Sequence, residues 1–108
     1  MDEKKIKKNE GPCSLIEILK VIGGKWSISI IYVLISGTKR FSEIERSIPN
    51  INTRMLAKEL KNLADHEIVI RKVYATVPPT VEYNLTTKGK KLEPVINEIY
   101  KWGLEYVY

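Results

Sequence analysis

A chain of 108 residues holds one ordinary domain and is too short for two. Apolar residues make up 44% and charged residues 29%, with 18 Lys+Arg against 13 Asp+Glu for a formal net charge of +5, a composition neither disordered nor membrane-like. One cysteine and one histidine cannot build an internal disulfide or a Cys/His metal cluster, and no Gly-rich phosphate loop or nucleophile paired with a base stands out, so an enzyme, a cofactor-dependent protein and a secreted disulfide scaffold are disfavoured.

Residues 1–10 hold four Lys and three acids and read as a flexible arm. A basic excess of four therefore stays with residues 11–108, the single folded domain, which suits a nucleic-acid surface and equally an ordinary solvated one. The start has no apolar secretory core, and the richest apolar run, Ile28 to Ile35, falls short of the ~18 residues a membrane span requires. Gly11-Pro12 ends the arm, and Ser14 is a candidate cap for a short amphipathic helix through Leu15, Ile18, Leu19 and Ile22. Gly23-Gly24 breaks it. Trp26 to Ile35 is apolar nearly all round, a buried element whose periodicity fits a helix or a strand.

Lys39-Arg40 precedes a helix marked by Phe41, Ile44 and Ile48, with Ser42-Glu43-Ile44-Glu45 matching a capping box. Pro49 stops this helix, Asn50-Ile51-Asn52 connects, and Asn52 is the expected N-cap of a helix from Thr53 to about His66. Ile51, the apolar residue of the connector, is placed to plug between the two. That is the outline of a helix-turn-helix. The period then changes to two: Ile68 to Tyr74 is β-branched, and Val81, Tyr83 and Leu85 alternate with polar residues, so two strands flank a stiff turn at Thr76-Val77-Pro78-Pro79-Thr80. A hairpin on a helix-turn-helix is a winged helix. Thr86 or Thr87 then caps a helix of at least four turns through Leu92, Val95, Ile96, Ile99, Trp102 and Tyr106, with Pro94 near its start or kinking it. The expected fold is mainly α with a small β-hairpin (α+β).

On a helical wheel with Leu56 at zero, Leu60 and Leu63 fall near ~40° and ~340°, while Arg54, Lys58 and Lys61 fall near ~160°, ~200° and ~140°. Such a helix packs its leucines on the domain and offers three cations to a major groove about 12 Å wide, with Asn52 and Thr53 at the end that reaches base edges. Asp65, near ~180°, dilutes the positive face at its C-terminal end. Arg40, Arg71 and Lys72 are candidate backbone contacts, the latter two on opposite faces of the first strand. His66 reads as a helix-end residue, and Trp26 and Trp102 as packing residues.

With these residues in place, the sequence resembles the HxlR-type winged helix-turn-helix transcription regulators, relatives of the MarR group. The matching stretches are Ile22-Gly23-Gly24-Lys25-Trp26, Arg40-Phe41-Ser42-Glu43-Ile44, Ile48 to Leu56, Tyr74 to Thr86 and Trp102-Gly103, spanning roughly residues 13–103. The resemblance implies a helix for Trp26 to Ile35, a bacterial or archaeal cytoplasmic protein, and a homodimer on double-stranded operator DNA whose contacts lie on the first and last helices. Leu15, Leu92, Val95, Ile96, Ile99, Trp102 and Tyr106 are the dimer candidates. A twofold dimer would read a pseudo-palindromic operator with half-sites about 34 Å apart. Cys13 matches the N-terminal cysteine with which some family members sense oxidants or electrophiles, although here Pro12 precedes it instead of following. A thiol at a helix N-terminus carries more thiolate, and with no second cysteine any disulfide must join two copies or a small thiol. A small-molecule effector is the other expected signal. A winged-helix module that binds another protein is the alternative reading.

Overall fold

The computed structural model describes residues 12–108; the arm over 1–10 lies outside the described residues. Helix α1 (Pro12–Ile22) leads through Gly23–Trp26 into α2 (Ser27–Ile35), the short strand β1 (Lys39–Arg40), α3 (Phe41–Ser47) and α4 (Thr53–Asp65). Strands β2 (Val69–Tyr74) and β3 (Thr80–Leu85) follow, then the single turn α5 (Thr87–Lys90) and α6 (Glu93–Tyr106). A winged helix-turn-helix of mainly α type with a small antiparallel sheet is the result.

The core forms where apolar stripes of four helices meet the inner face of the sheet. Ile30, Ile31 and Leu34 of α2, Ile44 of α3, Leu56, Leu60 and Leu63 of α4, and Ile96 of α6 close on Ile68, Val69, Tyr83 and Leu85. Helix α2 is apolar nearly all round because most of its circumference is covered: Ile28, Val33 and Ile35 pack against the same cluster while Ile30, Ile31 and Leu34 fill it, and Tyr32 stays half exposed. Its helical state resolves the ambiguity that periodicity left open.

Three expectations require correction. Helix α1 begins at Pro12, so Ser14 lies inside its first turn and is not the cap. Helix α3 begins at Phe41, and Glu43 reaches back so that its Oε1 accepts from the Arg40 backbone N–H at 2.7 Å; the Ser42/Glu45 capping box does not form. Glu45 is engaged elsewhere, because its Oε2 accepts from the Thr53 hydroxyl of α4 at 2.6 Å. The last helical segment is two helices: Thr86 Oγ1 accepts from the Gly89 N–H at 2.9 Å to cap α5, the chain breaks at Lys91-Leu92, and Pro94 takes the second position of α6, where its missing N–H costs nothing.

The sheet is three-stranded, in the order β1-β3-β2, with both pairs antiparallel. Strand β1 is an addition to the expected hairpin, since two residues carry no readable alternation. Gly89 is buried against β2: a Cβ there would stand 2.3 Å from the Ile68 carbonyl oxygen, so only glycine lets α5 seat on the strand.

Candidate nucleic-acid interface

The helix-turn-helix is built by local bonds at each end of its turn. Ile48 and Ile51 are buried on either side of Pro49-Asn50, and Asn50 turns the chain with a left-handed φ of 69°. Ile51 thus plugs the junction as its isolation in a polar connector suggested. Asn52 caps α4, its Oδ1 accepting from the Met55 N–H at 2.8 Å. The Thr53–Glu45 hydrogen bond ties the start of α4 to α3, setting the two helices relative to each other. At the far end Glu67, with φ 61°, takes the left-handed position after the helix, and the Ile68 N–H donates to the Leu63 carbonyl at 2.9 Å. This closure turns the chain directly into β2. His66 sits at that end, its Nδ1 2.9 Å from the Asn62 carbonyl oxygen.

Between these ends the leucine stripe of α4 is wholly buried, and Arg54, Lys58 and Lys61 are exposed on the opposite side. The three cations differ in availability. Lys61 Nζ lies 3.0 Å from Asp65 Oδ2 in an exposed i,i+4 pair. Among the described residues, Arg54 and Lys58 have no acidic partner within ion-pair distance. The two polar residues at the N-terminus are also partly engaged. With one lone pair of its Oδ1 engaged by the cap, Asn52 is held in the capping orientation, and its amide N–H groups are the donors left to reach outward. Thr53 has given its hydroxyl hydrogen to Glu45 and keeps only acceptor capacity.

The wing brings together residues that are far apart in sequence. In the sheet register Arg40 and Lys72 both pair with Glu82, one from each side, so the three share one row and one face. Arg71 pairs with Tyr83 on the opposite face, beyond the limit of the core, and is exposed. Lys72 Nζ also lies 5.3 Å from the centre of the Tyr74 ring. The turn between the strands is braced by Thr76, whose hydroxyl donates to the Pro78 carbonyl at 2.6 Å and lies 2.9 Å from Thr80 Oγ1. Sequence reasoning placed Arg40 beside a helix and missed its link to the wing, because that link exists only through β1.

Helices α1 and α6 carry exposed apolar side chains. Leu15, Ile16, Ile18 and Leu19 of α1 and Val95, Ile99, Tyr100, Trp102, Leu104 and Tyr106 of α6 are all about half exposed or more. Leu92 and Ile96, assigned to the same surface from sequence, turn inward: Ile96 is buried at 5% exposure and Leu92 packs against the core. The outward set is therefore Leu15, Val95, Ile99, Trp102 and Tyr106, joined by the α1 and α6 residues just named. The Trp102 and Tyr106 rings meet at 5.6 Å, tilted by 41°, and Tyr32 of α2 stacks on Tyr100 at 6.1 Å. Cys13 stands in the first turn of α1, but its side chain, and with it the sensor assignment, lies outside the described residues. Among the described residues no group of His, Cys, Asp and Glu could hold a metal ion, and no single helix is long and apolar enough to cross a membrane.

Comparison with known proteins agrees with this geometry. The family model for the HxlR-like helix-turn-helix matches residues 21–108. The HTH-type transcriptional regulator YybR of Bacillus subtilis (strain 168) is 46% identical over 104 residues, covering 95% of this chain and 83% of that protein. Among solved structures, the redox regulator HypR in its oxidized form superposes with a TM-score of 0.82 at 45% identity, over 86% of this chain and 96% of that one. The reduced form of the transcriptional regulator YodB from B. subtilis superposes with a TM-score of 0.76 at 38% identity, over 89% and 94%.

Proposed function

The chain belongs to the HxlR-like helix-turn-helix family and is a transcriptional regulator with a helix-turn-helix DNA-binding domain; on that premise we propose that it acts as a homodimer on a pseudo-palindromic operator. Helix α4 enters the major groove with Arg54 and Lys58 leading, Arg54 as the candidate for paired contacts to guanine and Lys58 for phosphate. Lys61, Asn52 and Thr53 contribute less, because each already has an intramolecular partner. Arg40, Lys72 and Arg71 lie along the neighbouring backbone. The observation that carries the dimer is the run of half-exposed apolar side chains on each of α1 and α6, denser than scattered surface residues would be. Covering one such side chain returns on the order of 1 kcal/mol, and ten of them together favour a second copy strongly.

Cys13 is the chain's one cysteine, and the relative HypR is described as a redox regulator. We extend the proposal to a thiol signal: two Cys13 thiols, one from each copy, give two electrons and two protons to an oxidant such as diamide and form a disulfide between copies. Replacing Cys13 with Ser removes that response, and an unchanged response to diamide would dismiss the sensor.

The experiment is selection of genomic DNA fragments by the purified protein at two salt concentrations. Recovery of one short inverted repeat, released at the higher salt as phosphate contacts give way to counterions, is the expected result. In the same assay Arg54→Ala with Lys58→Ala abolishes operator binding while the helical signal stays intact. Weak capture without sequence preference would instead favour the reading of α4 as a surface for another protein.

A further inference from the structure

Among the described residues Ser27 is the buried polar side chain, at 1% exposure, and a hydroxyl in that position is costly unless it is hydrogen-bonded. Its Oγ donates to Glu59 Oε1 at 3.0 Å, a bond between the first residue of α2 and the middle of α4. Glu59 is half buried and stands near ~300° on the wheel that puts Leu56 at zero, on the flank between the leucine stripe and the cations. The first turn of α2 has no acid of its own, so the carboxylate of α4 supplies the negative charge that a helix N-terminus favours.

Gly24 completes the contact. A Cβ there would stand 2.9 Å from Ser27 Oγ and 3.8 Å from both Glu59 carboxylate oxygens, so glycine leaves the hydroxyl free to reach across. This gives Gly24 in the Gly-Gly-Lys-Trp stretch a task that the helix-turn-helix does not explain. The contact also lies where α1 hands over to α2, next to the helix that carries the exposed Leu15, Ile16, Ile18 and Leu19.

The buried leucines decide which face of α4 turns inward, and the Thr53–Glu45 bond holds its N-terminal end, but neither places a directional bond at mid-helix. A rotation of about 20° carries a side-chain tip about 6 Å from that axis through about 2 Å, which is enough to break a hydrogen bond to a base edge. A directional bond on the flank resists that rotation. Resting on the reading that the outer face of α4 meets DNA, we propose that Glu59 is a positioning residue for operator recognition: held by Ser27 beside Gly24, it fixes the rotation of α4 and joins that helix to the α1–α2 turn.

The test is the ratio of affinities of the purified full chain for the selected inverted-repeat duplex and for a scrambled duplex, at 25 °C, with melting temperature followed separately. Ser27→Ala, Glu59→Ala and Gly24→Ala should each lower the ratio about five- to tenfold, and Ser27→Ala with Glu59→Ala should lower it no further than either alone. Glu59→Gln keeps an acceptor and should stay within about twofold of the natural protein. Should Ser27→Ala fail to fold, Glu59→Ala and Glu59→Gln at the half-buried partner carry the comparison. An unchanged ratio, effects that multiply in the double variant, or a ratio that simply follows melting temperature through the set overturns the proposal. Arg54→Ala separates this failure from that of its premise. If Arg54→Ala lowers operator affinity and the Glu59 variants do not, the positioning role alone is wrong; if neither does, the assignment of the reading face to α4 fails and takes the positioning role with it.

Discussion

Helices α4 and α6 are both amphipathic, with similar apolar spacing, yet their stripes meet different fates. In α4, Leu56, Leu60 and Leu63 are all buried within the chain's own core. In α6 only Ile96 is, and Val95, Ile99, Trp102 and Tyr106 remain about half exposed or more. A periodic stripe therefore states that a face is to be covered without stating by which chain. The difference comes from position: α4 lies against α2 and β2, whereas among the described residues α6 meets the body chiefly along α2.

The sharpest way to break this comparison is to truncate one residue of each stripe. Leu60→Ala removes a fully buried side chain beside α2 and should destabilise the fold by about 2–5 kcal/mol, read by chemical denaturation. Ile99→Asp places a charge on the uncovered stripe. It should convert dimer to monomer at micromolar concentration, read by sedimentation, with the helical content of the monomer retained. A dimer that survives Ile99→Asp would locate the twofold contact elsewhere. Equal loss of stability in the two variants would show that both stripes serve the same core.

A smaller effect separates the N-terminus of α4 from its outer face. Asn52→Ala removes the bond to the Met55 N–H and should cost about 1 kcal/mol of stability. Its effect on operator affinity should be no greater than this loss of helix order explains, since the cap holds the Asn52 side chain on its own helix. A much larger drop in affinity at unchanged stability would show that Asn52 leaves its cap to meet a base.

Most of the architecture was readable because it rests on local rules: the Asn52 cap, the leucine stripe, and the change from helical to two-residue period after His66. What escaped was settled by contacts across the chain. Glu45 matched a capping box with Ser42 but is drawn to Thr53 of the next helix, leaving Glu43 to serve the Arg40 N–H. Strand β1 is two residues long and exists only because β3 lies beside it. The apolar pattern ran on across Lys91-Leu92, so it concealed the break that Pro94 marks. In the candidate site, the wheel correctly set Arg54, Lys58 and Lys61 on an exposed face opposite the leucines. It could not show that Lys61 is paired, that Thr53 is bound to Glu45, or that Glu59 on the flank reaches Ser27.

The smallest predicted effect tests where the positive face of α4 ends. Asp65 shares that face, pairs with Lys61 at 3.0 Å, and stands at the helix C-terminus, where a negative charge opposes the macrodipole. Both groups are well exposed, at 77% and 61% of their side-chain surface, so the pair itself contributes little to stability. Asp65→Asn should leave stability within about 0.5 kcal/mol and tighten operator binding about two- to threefold at low salt, because Lys61 is released and a charge that repels phosphate is removed. The gain should shrink as salt rises, since it is electrostatic between exposed groups. Affinity that does not change at any salt concentration would place the last turn of α4 away from the phosphates and confine the reading surface to Arg54 and Lys58.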